Sequence, residues 1–398
     1  MTTVFHKTLR PILILSKCVG LIDISYTVKS TGLLVQNINS TFHVILEIAR
    51  MIVLLLCTYI YFHQFDSEFH LLQIINIIKL WIIIIAARLS TLWIIKFING
   101  IIEFDRKIES FSTNLLIPQR SWGKKQWDMI FILLFVYFIG FKSLYFYFLS
   151  IKIENIISLL IYYLLFTLPF FIDYVVTISS CFFLQSLYVR FQTLNDFWKC
   201  LPADLVDVSH QWTHIEIVNL MENTRLLHSE LCELLKTFTQ GYGPLLLGFF
   251  TSSFINLLLS IYFIVNNGSL SVSHSSINVW EQIIPLIIHV QMVTFLMLII
   301  VFVSFINEKR MEVISYLRLY RISNLQLDVK RQIKMFMNQI SACNSDQISA
   351  FGFFDINLNL VTIILVLLIS GVITLIQMKD HPMMLKLNND TKSFLEKL

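Results

Sequence analysis

Charged residues are scarce in this chain. Asp, Glu, Lys and Arg make up only 14% of its 398 residues, whereas 56% are hydrophobic. Soluble globular proteins carry about 25% charged residues, so the composition excludes a soluble protein and indicates one embedded in the lipid bilayer. The net charge of +4 is too small to predict a nucleic-acid partner. Because Pro11 and Lys17 interrupt the first apolar run, we expect no signal peptide.

Cysteines are also few, and their spacing matches no zinc site. The six are Cys18, Cys57, Cys181, Cys200, Cys232 and Cys343. All fall in apolar runs or in segments that the charge pattern places in the cytoplasm, where thiols stay reduced. We therefore expect no disulfide framework, no metal and no cofactor.

Motifs that mark enzymes and other membrane-protein classes are missing as well. The sequence has no HExxH, GxSxG or Walker loop and no His–Cys cluster, so no catalytic residue is predicted. A secondary transporter would show an internal repeat or a pair of helices broken by Gly or Pro, and this sequence shows neither feature. A G-protein-coupled receptor would carry Asp-Arg-Tyr or Asn-Pro-x-x-Tyr at its span ends, and neither is found there. These two classes are the alternatives to the assignment below.

What the chain does have is a series of long apolar runs. Each has the roughly 20 residues that a bilayer span requires. The seven runs cover 42–62, 71–95, 129–149, 156–184, 244–265, 283–305 and 358–378. The predicted fold class is an all-α membrane protein with seven transmembrane helices.

Lys and Arg are concentrated in alternate connections between these runs. They are plentiful before the first run and after the second, fourth and sixth, whereas HQFDSEFH and NNGSLSVSHSSINV have none. Since Lys and Arg accumulate in cytoplasmic loops, we place the N-terminus in the cytoplasm and the C-terminus outside the cell. Sequons at Asn267 and Asn389 fall on the predicted outer side and are candidate glycosylation sites, although a third, at Asn39, falls inside.

Two of the cytoplasmic connections, those after the fourth and sixth runs, are long and amphipathic. The first has an apolar stripe of Ile215, Val218, Met221 and Leu226. The second has a stripe of Met311, Ile314, Leu317 and Tyr320. Exposed apolar stripes of this length are unfavourable, so we expect long cytoplasmic helical extensions that pack together.

Ionisable residues inside the runs are expected to find partners there. Glu47 and Arg50 are three residues apart on one helix and are predicted to pair. Arg88, Lys142 and Asp173 are predicted to bridge between helices or to extend towards the membrane surface.

The last run carries a sparse polar stripe. Ser370, either Ile373 or Thr374, and Gln377 are spaced by three and four residues, so they share one face of a helix. Such a face suits a water-filled constriction, but an amide such as Gln377 also suits a hydrogen bond between two membrane helices. Spacing alone leaves both interpretations open.

The same segment resembles the signature of the insect gustatory receptor family. That signature is Thr-Tyr, five apolar residues and Gln-Phe. The chain has Ser370 for Thr and keeps Gln377, while Gly371 and Met378 depart from the pattern. The preceding AFGFFDINLNL, at 350–360, is similar to the family's Gly-Phe-Phe segment, and the opening LRPILILSKCVGLIDISY is similar to its start.

This resemblance implies a ligand-gated, non-selective cation channel opened by a tastant, a bitter plant compound or else a sugar. It implies a homotetramer, or a hetero-oligomer with related receptors, in the plasma membrane of a sensory-neuron dendrite. Residues 1–306 would form the ligand-sensing bundle, 307–354 the cytoplasmic anchor, and 355–398 the pore-lining helix with a short outer tail. The implied pore and gate residues are Ser370, Ile373, Thr374, Gln377 and Met378.

Polar and aromatic residues in the outer halves of the runs are candidates for the ligand pocket. They are Gln73, Asn76, Tyr145, Tyr162, Asn256, Tyr262, Trp280, His289 and Gln291. Each Tyr or Trp also fits an interfacial anchor, whereas His289 and Gln291 lie deeper, where polar residues tend to be functional.

Overall fold

The computed structural model describes most of the chain. It covers residues 4–22, 26–29, 32–36, 41–64, 71–115, 156–199, 214–268, 279–319, 326–343, 347–378 and 381, and isolated positions between 129 and 143; near some helix ends it describes the backbone alone. The helices within these ranges are α1 (Val4–Val19), α2 (Thr41–Gln64), α3 (Leu71–Leu115), α4 (Ile156–Lys199), α5 (His214–Gly268), α6 (Val279–Leu319), α7 (Leu327–Cys343) and α8 (Leu358–Gln377). The strands are β1 (Tyr26–Val28) and β2 (Leu34–Gln36).

The described chain is mostly helical, as predicted, and the two short strands are an addition that the sequence did not indicate. They pair antiparallel, with Tyr26 opposite Gln36. Gly32 sits in the turn with φ 85°, a left-handed conformation that favours glycine. Asn99 of α3 holds β2 through its side chain, which accepts from Leu34 N at 2.8 Å and donates to Leu34 O at 2.9 Å.

Four helices are much longer than a bilayer is thick. Helices α3, α4, α5 and α6 have 45, 44, 55 and 41 residues, which correspond to about 60–80 Å at 1.5 Å per residue. A span needs only about 30 Å, so each helix continues well beyond one. The predicted run ends at 95, 184, 244 and 305 all fall inside continuous helices, as does the predicted domain boundary at 306.

Five of the described helices, α3, α4, α5, α6 and α8, are long and apolar enough to cross a membrane. Helix α2 covers the first predicted run, while the third predicted run has only isolated described positions. The count of seven spans and the direction of the termini stay predictions.

Aromatic and glycine contacts show the register between helices. Helix α3 runs antiparallel to α5, because Phe97 lies 5.4 Å from Phe238 between ring centroids and Ile82 packs on Gly248, ten residues further along α5. Helix α4 runs parallel to α6, since Tyr174 lies 6.5 Å from Phe295. Further along both helices, Tyr188 of α4 lies 6.3 Å from Phe305 of α6. Residue numbers therefore rise in the same direction along the two helices.

One end of the bundle, which we call the base, contains α1, the hairpin, α7 and the adjoining ends of α3–α6 (97–115, 185–199, 214–243 and 306–319). Arg190 joins α4 to α3 there by donating to both oxygens of Asp105, at 2.8 and 2.5 Å. Helices α5, α6 and α7 share a small apolar core. Its buried members are Ile217, Leu220, Met221, Val313, Leu317, Val329, Ile333, Phe336 and Ile340.

This core confirms half of the predicted stripe on α5, since Met221 is buried in it and Val218 packs against it, and corrects the other half. Ile215 is 70% exposed and Leu226 is 51% exposed. Besides the predicted Met221, the buried residues of α5 in this core are Ile217 and Leu220. The four predicted residues are spread over a wide arc of the helix surface. Helix α7 covers only part of that arc, so the residues outside the covered part stay exposed.

The exposed face of α3 has the length and composition of a surface that faces a membrane. Large apolar side chains are exposed on it at regular helical spacing, and a tryptophan and a lysine follow. The apolar residues are Ile78, Ile82, Ile85, Leu89 and Leu92. Lys96 Nζ then lies over the Trp93 ring, 5.2 Å from its centroid. Trp and Lys are typical of membrane interfaces, and the 18 residues from Ile78 to Lys96 span about 27 Å, close to the thickness of the hydrocarbon core.

Candidate pore face and ligand site

Helix α8 is the most apolar of the membrane-length helices and the least buried. Only Leu360 and Leu368 of its twenty residues are buried. Its start is well defined, because the Asn357 side chain caps the helix by accepting from Leu360 N at 3.2 Å. Most of the surface of this helix is therefore exposed.

All the polar side chains of α8 lie on one exposed face, which we call the polar face. At 100° per residue they fall within an arc of about 120° centred on Gln377. They are Asn359, Thr362, Ser370, Thr374 and Gln377, and each is exposed. The predicted Ile373 and Met378 are exposed as well. Sequence reasoning missed Asn359 and Thr362, although their spacing of 18 and 15 residues from Gln377 was sufficient to find them.

Two of the three hydroxyl groups of the polar face are bonded to the helix itself. Ser370 Oγ donates to Leu367 O at 3.2 Å, and Thr374 Oγ1 donates to Ser370 O at 2.9 Å. Such bonds to the preceding turn satisfy the hydroxyl without a partner helix. The amide of Gln377, at the last residue of α8, is the largest polar group that the face presents.

The opposite side of α8 is attached to α5. A Cβ on Gly371 would lie 2.8 Å from Leu258 Cδ1, so the two helices are in close contact there. One turn further, Leu375 packs against a cluster formed by Leu259 and Tyr262 of α5, and Ile75 of α3 packs against the same cluster. This cluster, which we call the upper cluster, connects α8 directly to the helices that carry several candidate ligand residues.

Those candidate residues lie at one level of the bundle. Ile82 of α3 and Gly248 of α5 face each other on these antiparallel helices. Asn76 lies six residues from Ile82, and Asn256 lies eight residues from Gly248, both towards the same end of the bundle. Both therefore lie about 9–12 Å beyond that contact. Gln291 lies one turn before Phe295, which contacts α4 at Tyr174.

A buried ion pair occupies the same level. Lys79, one turn from Asn76, donates to Asp173 of α4, and both side chains are less than 10% exposed. Lys79 Nζ also lies 5.9 Å from the Phe170 ring centroid. The prediction that Asp173 bridges helices is confirmed, and the structure identifies Lys79 as its partner.

Two of the candidate ligand residues are buried inside the bundle. Tyr262 is fully buried and Asn256 is 7% exposed, while Asn76 Oδ1 is buried without a hydrogen bond from any described residue. A buried carbonyl oxygen without a donor is costly. The hydrogen-bonding capacity of Asn76 Oδ1 is therefore not met by the described residues.

Comparison with known proteins assigns the chain to a family. Its sequence matches the model of the 7tm chemosensory receptors over residues 9–381. The chain belongs to the 7tm chemosensory receptor family. Among curated proteins, none matches this receptor.

The fold agrees with that assignment. The receptor is similar to the solved structure of the insect olfactory receptor OR5 from Machilis hrabei in complex with eugenol. The TM-score is 0.62 at 12% sequence identity, and the match covers 93% of this chain and 98% of the other. The predicted resemblance to insect chemosensory receptors is confirmed, and the family is one of receptors rather than enzymes.

Several predicted site residues of the receptor lie outside what the structure describes. Tyr145 and Asn389 are outside the described residues. The side chains of Gln73, Tyr162, Trp280, His289 and Asn267 are also outside them, although their backbones are helical. Their predicted roles stay predictions, as do the roles of the pore and ligand residues that the structure does place.

Proposed function

We propose that this receptor is a gustatory receptor that works as a ligand-gated, non-selective cation channel. Four copies of α8 would surround a central pore, with their polar faces towards the axis. The observation that carries this proposal is the confinement of all five polar side chains of α8 to one face that the chain leaves exposed.

A lipid environment does not suit that face. The Gln377 side chain is exposed, and hydrocarbon offers an amide no hydrogen-bond partner. Water in a pore satisfies Gln377, and the apolar Ile373 and Met378 beside it supply a constriction that opens by wetting. The alternative is that Gln377 forms a hydrogen bond with one neighbouring helix. That contact would satisfy the Gln377 amide but would not account for the other polar residues on the same face.

The ligand would bind in the bundle at the level of Asn76 and Asn256. A bitter plant compound fits this mixture of amides, aromatic rings and aliphatic side chains, and a sugar is the second choice. The similar OR5 structure holds eugenol, a small molecule. Because the upper cluster joins Ile75 and Tyr262 to Leu375 of α8, a ligand that shifts α3 against α5 also shifts the pore helix.

The pore assignment is tested with Gln377→Ala, expressed in oocytes and studied by voltage clamp. We expect a changed reversal potential under mixed-cation gradients, with surface expression retained. The matched control is Ile376→Ala, because Ile376 is the neighbouring exposed residue but points about 100° away. Equal permeability ratios in Gln377→Ala and the unmodified receptor would remove Gln377 from the pore.

The agonist is found by screening plant compounds and sugars on expressing cells with a calcium readout. Currents that follow the agonist without uptake of labelled compound support a channel. Uptake coupled to an ion gradient would instead support a secondary transporter, and currents that require a G protein would support a coupled receptor.

A further inference from the structure

Several uncharged polar side chains inside the bundle differ from the charged ones in having no partner. Glu47 bonds to Arg50 at 2.8 Å, which confirms the predicted pair, and Arg88 of α3 bridges to the same carboxylate. Four hydroxyl groups, by contrast, are only 0–2% exposed and have no hydrogen bond within the part of the chain that the structure describes. These residues, which we call the orphan hydroxyls, are Ser90, Thr177, Ser180 and Ser253.

Each orphan serine has a neighbour in the sequence whose hydroxyl is bonded to its own helix. These neighbours are Thr91, Ser179 and Ser252, which donate to the carbonyl oxygens of Ala87, Val176 and Phe249 at 2.8, 3.2 and 3.1 Å, in that order. A bond to the preceding turn is the usual way in which a helix satisfies a hydroxyl. The orphan serines point about 100° away from their neighbours and make no such bond to any described residue. They are therefore available to another partner.

On α3, the orphan hydroxyl lies on the face that contacts α4. Lys79 pairs with Asp173 of α4, and the Phe97 ring lies 5.3 Å from that of Phe183. Ser90 is eleven residues after Lys79 and seven before Phe97, so it lies within about 20° of both directions. Ser90 therefore points into the contact between the two helices, between the ion pair and the aromatic pair.

On α4, two orphan hydroxyls occupy the facing stretch. Thr177 and Ser180 both lie between Asp173 and Phe183, the two residues that contact α3. They are four and seven residues after Asp173 and lie within about 40° of its direction. Together with Ser90, they bring three hydroxyl groups without protein partners to one part of the bundle interior.

The fourth orphan hydroxyl comes from α5. Tyr242 lies 5.7 Å from Phe183 between ring centroids, and Ser253 is eleven residues later, within about 20° of the same face. Helix α5 is antiparallel to α3, and α3 and α4 are parallel, so Ser253 lies about 16 Å from Phe183 towards Asp173. Asp173 is itself about 15 Å from Phe183 along α4. Ser253 is therefore level with the ion pair.

Burial at this depth makes an unpartnered hydroxyl costly. Ser90 lies six residues, or about 9 Å, inside Lys96, at the level of the exposed apolar face of α3. Hydrocarbon offers no hydrogen-bond partner, and a buried polar group without one destabilises the fold. Water is small enough to lie between packed helices, and a buried water molecule makes about three hydrogen bonds to such groups. Hydroxyls from three helices supply the partners that several waters need.

We propose that the four orphan hydroxyls bind a column of buried water molecules between α3, α4 and α5. From Asp173 to Ser180 the column is about 10 Å long, and one end of it lies beside the Lys79–Asp173 pair. Water at that end lowers the cost of burying the two charges, because part of their hydration is kept. The column depends on neither the proposed pore nor the proposed agonist.

The sign of a stability change distinguishes bound water from a dry contact. If the hydroxyls bind water, Ser180→Ala removes a hydrogen-bond partner and should lower the midpoint of thermal unfolding by about 1–2 °C. If the contact is dry, the same change removes an unsatisfied group and raises the midpoint. Thr177→Val, which keeps the side-chain shape, should also lower it. Ser252→Ala is the matched control and should leave the midpoint unchanged, because the Ser252 hydroxyl is bonded within its own helix.

Hydroxyl radicals formed from bound water by a brief X-ray pulse report on the column directly. Cys181 lies one turn from Thr177 on α4 and is 8% exposed, whereas Cys232 lies in the base and is 3% exposed. Because both thiols are buried, little bulk water reaches either. We expect Cys181 to be oxidised several-fold faster than Cys232, as measured by mass spectrometry of peptides from the pulsed full-length receptor. The double variant Thr177→Val with Ser180→Ala should reduce the Cys181 rate to that of Cys232.

Three results would overturn the proposal. A raised unfolding midpoint in both Ser180→Ala and Thr177→Val would show that these hydroxyls are buried dry. Equal oxidation of Cys181 and Cys232 in the unmodified receptor would show no water beside Thr177, and this measurement needs no variant to fold. Oxidation of Cys181 that persists in the double variant would show that its water is not held by these hydroxyls. Channel currents play no part in either readout, so failure of the proposed pore would be seen separately.

Discussion

Gly371 of α8 lies directly against Leu258 of α5, and a Cβ atom on Gly371 would be 2.8 Å from Leu258 Cδ1. No side chain makes so close a contact without displacing its neighbour. The contact lies one turn from Leu375 and the upper cluster. The distance between α5 and α8, and hence the position of the polar face, depends on the absence of a side chain at this point.

We expect Gly371→Val to reduce agonist-evoked current because the added methyl groups force α8 away from α5. Overpacking of this kind costs about 1–3 kcal/mol. Gly371→Ala should have a smaller effect, and Leu258→Ala should relieve it in the double variant. A double-mutant cycle on current at matched surface expression measures the coupling.

The control for this prediction is Gly248→Ala on α5. A Cβ there would meet Ile82 at 3.5 Å and Ile83 at 3.6 Å, which is ordinary contact, so current should be retained. Additive effects of Gly371→Ala and Leu258→Ala would contradict the proposed contact.

We expect the stability of the receptor to fall when one member of the Lys79–Asp173 pair is removed, but to be retained when both are replaced by apolar residues. We expect Asp173→Leu to destabilise the receptor by about 3–5 kcal/mol, because it leaves the buried Lys79 without its counter-charge. The double variant Lys79→Met with Asp173→Leu should recover most of that stability. Thermal unfolding of the tagged receptor, followed by fluorescence-detected size-exclusion chromatography, measures both.

A double variant as unstable as Asp173→Leu would show that the ion pair has a role that apolar packing cannot replace. In that event agonist binding by Lys79→Met would show whether the role is ligand recognition.

Asn256 should affect agonist potency without changing permeation. We expect Asn256→Leu to raise the half-maximal agonist concentration by about ten-fold, the value of one good hydrogen bond. Thr251→Leu is the control, since Thr251 is exposed on the same helix and points about 140° away. Dose–response curves and reversal potentials are recorded together; a shifted reversal potential with unchanged potency would place Asn256 in the wrong site.

Arg190 should require its guanidinium and not only its charge. It donates to Asp105 at 2.8 and 2.5 Å and to Ser186 O at 2.6 Å. Lysine cannot reproduce this fork, so Arg190→Lys should lower the yield of assembled receptor nearly as much as Arg190→Leu. Full assembly of Arg190→Lys, measured by native gel electrophoresis, would show that charge alone suffices.

Much of the site could be predicted from sequence because its pattern lies within single helices. The spacing of Ser370, Thr374 and Gln377 depends only on the 3.6-residue period, and the same period brings Asn359 and Thr362 onto that face. The prediction of paired charges on α2 succeeded for the same reason, since Glu47 and Arg50 are one turn apart. The stripe on α5 failed at Ile215 and Leu226, because burial there depends on where α7 packs.

The amino-acid sequence alone determined that the chain is a helical membrane protein, because apolar runs and the placement of Lys and Arg express local transfer energies that need no partner. It also determined which side of α8 is polar. Only the tertiary structure decided that Lys79 pairs with Asp173, that Arg88 pairs with Glu47 and that Gly371 contacts Leu258. Those contacts join residues far apart in the chain, and they depend on the register between packed helices, which no local pattern encodes.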